Sequence, residues 1–131
     1  EDLDKVLMFE PINARLADYE AIYNRLNNEF KYTNIAKLKT VLPDTVDNIC
    51  IAYNLSEDEK LGLFMHLACM VERVLSGTKL SINKKDLEKI ELYPYDYKMI
   101  AKLLKNIEKT FKIIIDDTEI MNIMTICLKL F

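Results

Sequence analysis

The chain has one histidine, His66, in 131 residues, and no tryptophan. A single histidine removes most templates for acid–base and nucleophilic catalysis. It also removes metal sites built on paired histidines: no His-Glu-x-x-His run exists, and the Glu-x-x-His pairs of helical dimetal centres are absent. Only two glycines and three prolines punctuate the sequence. Gly62 and Gly77 cannot make a glycine-rich phosphate loop, and so few turn formers argue against an all-β chain. Cys50, Cys69 and Cys127 are widely spaced, with no Cys-x-x-Cys or Cys/His ligand pattern. Neither zinc nor a disulfide framework is supported, and the thiols read as small buried hydrophobes in a reducing cytosol. The net charge of −3 offers no basic field to nucleic acid. No apolar run approaches the ~18 residues of a membrane span, and no signal-peptide pattern opens the chain. A cytoplasmic domain with no metal, no cofactor and no nucleic-acid or membrane contact of its own is expected.

What is present is apolar content, 50% of the residues. That content and length suit one all-α domain with a sizeable core. The clearest helix signals lie between Leu55 and Gly77. Ser56 with Glu59 three residues on is a capping-box pattern, and Ser76-Gly77 is a stop. Between them Leu63, Phe64, Leu67, Ala68, Met70, Val71, Val74 and Leu75 leave almost no polar face. A helix apolar nearly all round is buried in the middle of a domain. His66 lies on this helix, in or beside the core.

The rest of the chain reads as further helices. Asp2–Phe9 suggests a short helix or docking segment. Pro11 suits a first turn. Ile12, Leu16, Tyr19, Tyr23, Leu26 and Phe30 form one seam, which suits packing within the domain or a helix shared with a second subunit. Lys31–Asn34 is a break. A short helix with Ile35, Leu38, Val41 and Leu42 is expected to stop at Pro43-Asp44, where a second begins with Val46, Ile49 and Cys50 and closes at Asn54. A short helix over Lys84–Ile90 follows the His66 helix, and its lysines, interleaved with acids, read as a solvated face. Tyr93-Pro94 is a hard boundary. One helix is expected from Asp96 to about Phe111, then the apolar connector Lys112–Ile115. Asp116 and Glu119 make a second capping-box pattern for the last helix, carrying Ile120, Ile123, Met124, Cys127, Leu128 and Phe131.

His66 and Arg73 are seven residues apart, two turns, and so on one side of the helix. A half-buried imidazole near a guanidinium favours its neutral, nucleophilic form, by desolvation and by like charge. Arginine is also the best side chain for gripping a phosphoryl group. Asp117 and Glu119 are placed to come near. The pair therefore reads as a phosphoryl acceptor with its counter-charge. On spacing alone, a lone histidine in an apolar helix reads first as a packing residue.

Met65-His66-Leu67-Ala68-Cys69-Met70-Val71-Glu72-Arg73 resembles the signature around the first phosphorylatable histidine of PTS regulation domains, or PRDs. These helical modules occur in BglG-type antiterminators and in LevR-like sigma-54-dependent activators. The pattern of His followed at seven residues by Arg, with Glu before it, is matched at His66, Glu72 and Arg73. Phe111–Ile120 is similar to the family's acidic run into its last helix. Many members carry a second histidine seven residues after that Glu, and here Ile126 stands there. The resemblance covers about Asp44–Phe131, with residues 1–43 a linker or N-terminal helix of the same domain.

It implies a compact bundle of about five helices in antiparallel pairs, within a single regulatory domain over 1–131 that is a piece of a larger regulator. It implies no enzyme activity, but phosphorylation of His66 by HPr or an EIIB-type component, with Arg73, Asp117 and Glu119 as neighbours, in a homodimer that responds to sugar availability. The alternative is a structural or dimerisation module of such a regulator that is never phosphorylated. A histidine phosphotransfer bundle fits poorly, because no Lys-Gly follows His66.

Overall fold

The computed structural model describes residues 11–80 and 84–130. The expectations for Asp2–Phe9 and Phe131 lie outside these. The chain divides into two compact units, Glu1–Lys31 and Tyr32–Phe131. The first contributes α1 (Pro11–Glu29), with Pro11 at its start as expected and Tyr23 and Leu26 buried. The second contains α2 (Ile35–Tyr53), α3 (Glu57–Ser76), α4 (Lys84–Leu92), α5 (Pro94–Leu103), α6 (Lys105–Phe111) and α7 (Asp117–Leu128). No strand occurs among the described residues, so the all-α expectation holds.

The local signals explain most boundaries. The Asn34 side chain accepts from the Lys37 N–H and starts α2, and Asn54, at φ 52°, ends it. The Ser56–Glu59 capping box is fully formed at the start of α3. Gly77 closes that helix at φ 77°, a left-handed conformation that favours glycine. Pro94 occupies the first turn of α5.

Two boundaries differ from expectation. Pro43 lies inside α2 and does not divide it. Its ring faces solvent, and the carbonyl it cannot pair belongs to exposed Lys39, which water can satisfy. The buried stripe Ile35, Leu38, Val41, Leu42, Val46 and Ile49 runs unbroken past the proline. Burying that stripe outweighs one lost hydrogen bond. Conversely, the helix expected over Asp96–Phe111 is broken at Leu104, whose φ of −88° and ψ of −4° turn the chain between α5 and α6. Ile100, Leu104, Ile107 and Phe111 remain buried on both arms.

Ion pairs and hydrogen bonds fix the helix directions. Lys60 meets Asp47 at 2.8 Å, while Glu72 near the other end of α3 binds Thr33 just before α2. The two helices are therefore antiparallel. Lys129 just beyond α7 meets Glu59 early in α3, and Glu119 early in α7 meets Arg73 late in α3. These two are antiparallel as well. α2 packs on α3, α5, α6 and α7, and α7 packs on α3, α4 and α5. Leu63, Phe64, Leu67 and Met70 place α3 in the core. Of the three free thiols only Cys127 is fully buried, while Cys50 and Cys69 are half-exposed, so the buried-hydrophobe reading holds for one of the three.

Candidate functional site

The site is set by the last three turns of α3 and the first turn of α7. Helical spacing puts His66, Cys69 and Arg73 on the strip of α3 that the core does not take up. All three are partly buried. The His66 Nε2 atom is enclosed and has no hydrogen-bond partner. A buried ring nitrogen normally has one. The ring therefore sits in the protein without being tied by that atom.

Arg73 is held at two points. Its Nη2 donates to Glu119 Oε1 at 2.8 Å and its Nε to Oε2 at 3.2 Å. This is the two-point geometry by which guanidinium grips a carboxylate. The Glu119 side chain is only 3% exposed and that of Arg73 24%. Glu119 reaches this position because Asp116 caps α7, its side chain accepting from the Glu119 N–H at 3.1 Å. The expected reciprocal half of that capping box does not form. The Glu119 carboxylate goes to Arg73 and not back to the Asp116 N–H. The capping-box reading is thus correct for Asp116 and wrong for Glu119, because a half-buried guanidinium is the stronger partner.

Both charges act on His66. Its pKa is pushed below the ordinary imidazole value, first by burial and next by the Arg73 guanidinium, while Glu119 works in the opposite direction. Asp117 is placed elsewhere: it is exposed and accepts a hydrogen bond from the Tyr97 hydroxyl of α5. Ile126, the position of the absent second histidine, is half-buried on α7.

Glu72 holds a structural role that spacing alone did not reveal. Its Oε1 accepts from the Tyr32 and Thr33 N–H groups at 3.1 and 3.0 Å and from the Thr33 hydroxyl at 2.8 Å. The Glu-Arg dipeptide of α3 thus grips two separate segments, the lead-in to α2 and the start of α7. The only advance signal was its place in the motif. Tyr97 carried no signal. Among the described residues no group of three His, Cys, Asp or Glu side chains could hold a metal ion. No described helix is long and apolar enough to cross a membrane.

A PRD domain family profile matches residues 39–129, most of the chain. The chain belongs to the PRD family. This match begins within α2 and takes in both His66 and the Arg73–Glu119 pair. PRDs are regulatory domains of PTS-controlled regulators, a regulatory and not a catalytic family. Comparison with curated proteins and with solved structures gives no significant match.

The single imidazole of this PRD makes one prediction directly readable. The His66 Cε1–H NMR signal is expected to titrate with a midpoint below the ordinary 6.5. In the unfolded chain the ring takes its proton near that value, while the folded ring resists it. The unfolded state then binds more protons. Stability from this group is intact above about pH 6.5 and falls as pH drops below it. A midpoint at or above 6.5 contradicts the burial of the ring beside Arg73.

Proposed function

We propose that this PRD is the sensory domain of a bacterial transcriptional regulator, an activator or antiterminator, and that His66 accepts a phosphoryl group from HPr or an EIIB-type component. The whole chain serves as that domain, with residues before α2 as its N-terminal helix or linker, while residues 35–43 belong to α2 itself. The observation that carries the reading is a neutral-favouring imidazole with an unpartnered Nε2, beside an arginine aimed by Glu119. The lone pair of a neutral ring nitrogen attacks phosphorus. The bond from phosphorus to the donor side chain breaks and its electron pair returns to the donor. A P–N bond forms on His66, and the other ring nitrogen keeps its proton. Because Nε2 is enclosed, a donor reaches that atom only when the covering side chains part.

The product carries nearly two negative charges and three strong acceptors. Arg73 is the cation two turns away to pair with it. Glu119 is repelled, while exposed Asp117, tied to Tyr97, feels the charge more weakly. A homodimer with the site near its interface would turn that change of charge into a change of packing, and DNA or RNA binding would reside in other domains of the regulator.

The test is incubation with phosphoenolpyruvate, enzyme I and HPr, with and without EIIB-type proteins, followed by intact mass. The wild-type domain is expected to gain one phosphoryl group and His66→Ala none. No gain from any donor favours the structural or dimerisation module, and equal gain in His66→Ala rules out His66 as the acceptor.

A further inference from the structure

Glu119 has two seats within reach and occupies one. As the third residue of α7 it stands where a capping-box carboxylate returns to the N–H of the capping residue. That N–H, on Asp116, makes no hydrogen bond among the described residues. The same pattern at Ser56–Glu59 does close, with the Ser56 N–H donating to Glu59 at 2.8 Å. At the start of α7 the Glu119 carboxylate is instead taken by Arg73. Its guanidinium holds the Glu119 carboxylate at two points and, in the same act, is itself held.

We infer that Glu119 is a two-seat positioning residue: it holds Arg73 while His66 is unmodified, and moves to the Asp116 N–H when a phosphoryl group on His66 takes Arg73 from it. The inference rests on His66 being the acceptor. The chemistry favours exchange over sharing. A phosphoryl group offers arginine more charge and one more acceptor oxygen than a carboxylate does. An arginine bridging both would hold a dianion and a carboxylate close together in a poorly hydrated site, where like charges repel strongly. Glu119 is 2% exposed, so once released it has little water to turn to. The Asp116 N–H is the donor that a capping box offers a carboxylate at this position. No other bond breaks, and no proton moves.

The test reads hydrogen exchange at the Asp116 amide by NMR on the full chain. It is measured in the wild type, in Arg73→Gln, and in wild type phosphorylated with potassium phosphoramidate, uptake being followed by intact mass. Exchange at Asp116 is expected to slow roughly tenfold or more in both the variant and the phosphorylated protein, as a charge-assisted hydrogen bond forms there. Unchanged exchange in a folded Arg73→Gln removes the second seat. Unchanged exchange in protein that carries the phosphoryl group removes the transfer of Arg73, even where Arg73→Gln does not fold. Absence of uptake by the wild type removes the acceptor, and the partner exchange with it. A merely structural Glu119 would leave Asp116 exchanging alike before and after phosphorylation.

Discussion

Arg73→Ala is expected to destabilise the domain by about 3 kcal/mol, the lower end of what breaking a buried ion pair costs. The lower end applies because the Arg73 side chain is 24% exposed and that of Glu119 3%. Most of the loss comes from Glu119, left charged and buried without a cation. The asymmetry between the two partners makes the estimate testable. Glu119→Gln should cost clearly less, about 1–2 kcal/mol, because an amide oxygen still accepts from the guanidinium and Arg73 can turn towards water. Replacing both residues by leucine should recover most of the loss, since apolar packing commonly matches a buried pair. Urea denaturation of the three variants gives the comparison. An Arg73→Ala midpoint equal to wild type would mean the pair is solvated in solution and does not tie α3 to α7.

The site was half legible before the structure. The His66–Arg73 spacing is a property of helix geometry, and any helix over those residues puts both on one side. The partner of Arg73 was not settled in the same way. Asp117 and Glu119 are two residues apart on α7, and only the cap at Asp116 decides which faces α3. Glu119 turns inward to Arg73, and Asp117 turns outward to Tyr97.

The errors in the fold have the same origin. Pro43 is a strong local signal to stop, yet the apolar stripe on both sides of it lies on one face of one helix, and packing of that stripe decides. At Leu104 no local signal marks a break, and the turn is imposed by where α5 and α6 must lie against α2. Caps are written in two or three neighbouring residues and were read correctly at Asn54, Ser56, Gly77 and Asp116. Continuity and breakage depend on partners far along the chain.

Phe64→Ala is expected to cost about 3–5 kcal/mol, the usual range for emptying an aromatic site in a core. Phe64 is 2% exposed and is the largest fully buried side chain among the described residues. For a domain of this size the melting temperature should fall by at least about 10 °C. Leu61, one turn earlier and 41% exposed, is the internal control, and Ile51, 81% exposed, is a control on α2. Alanine at either should change stability by less than about 1 kcal/mol. Equal losses at Phe64 and Leu61 would show that α3 does not present the face assigned to it. Phe64 and His66 are two residues apart and so point to different sides of α3. Below its lowered melting temperature, Phe64→Ala should therefore still take up a phosphoryl group, whereas His66→Ala should lose uptake with little change in melting. The two substitutions would separate two tasks on one helix: the packing done by its apolar faces, and the phosphoryl uptake proposed for the narrow strip from His66 to Arg73.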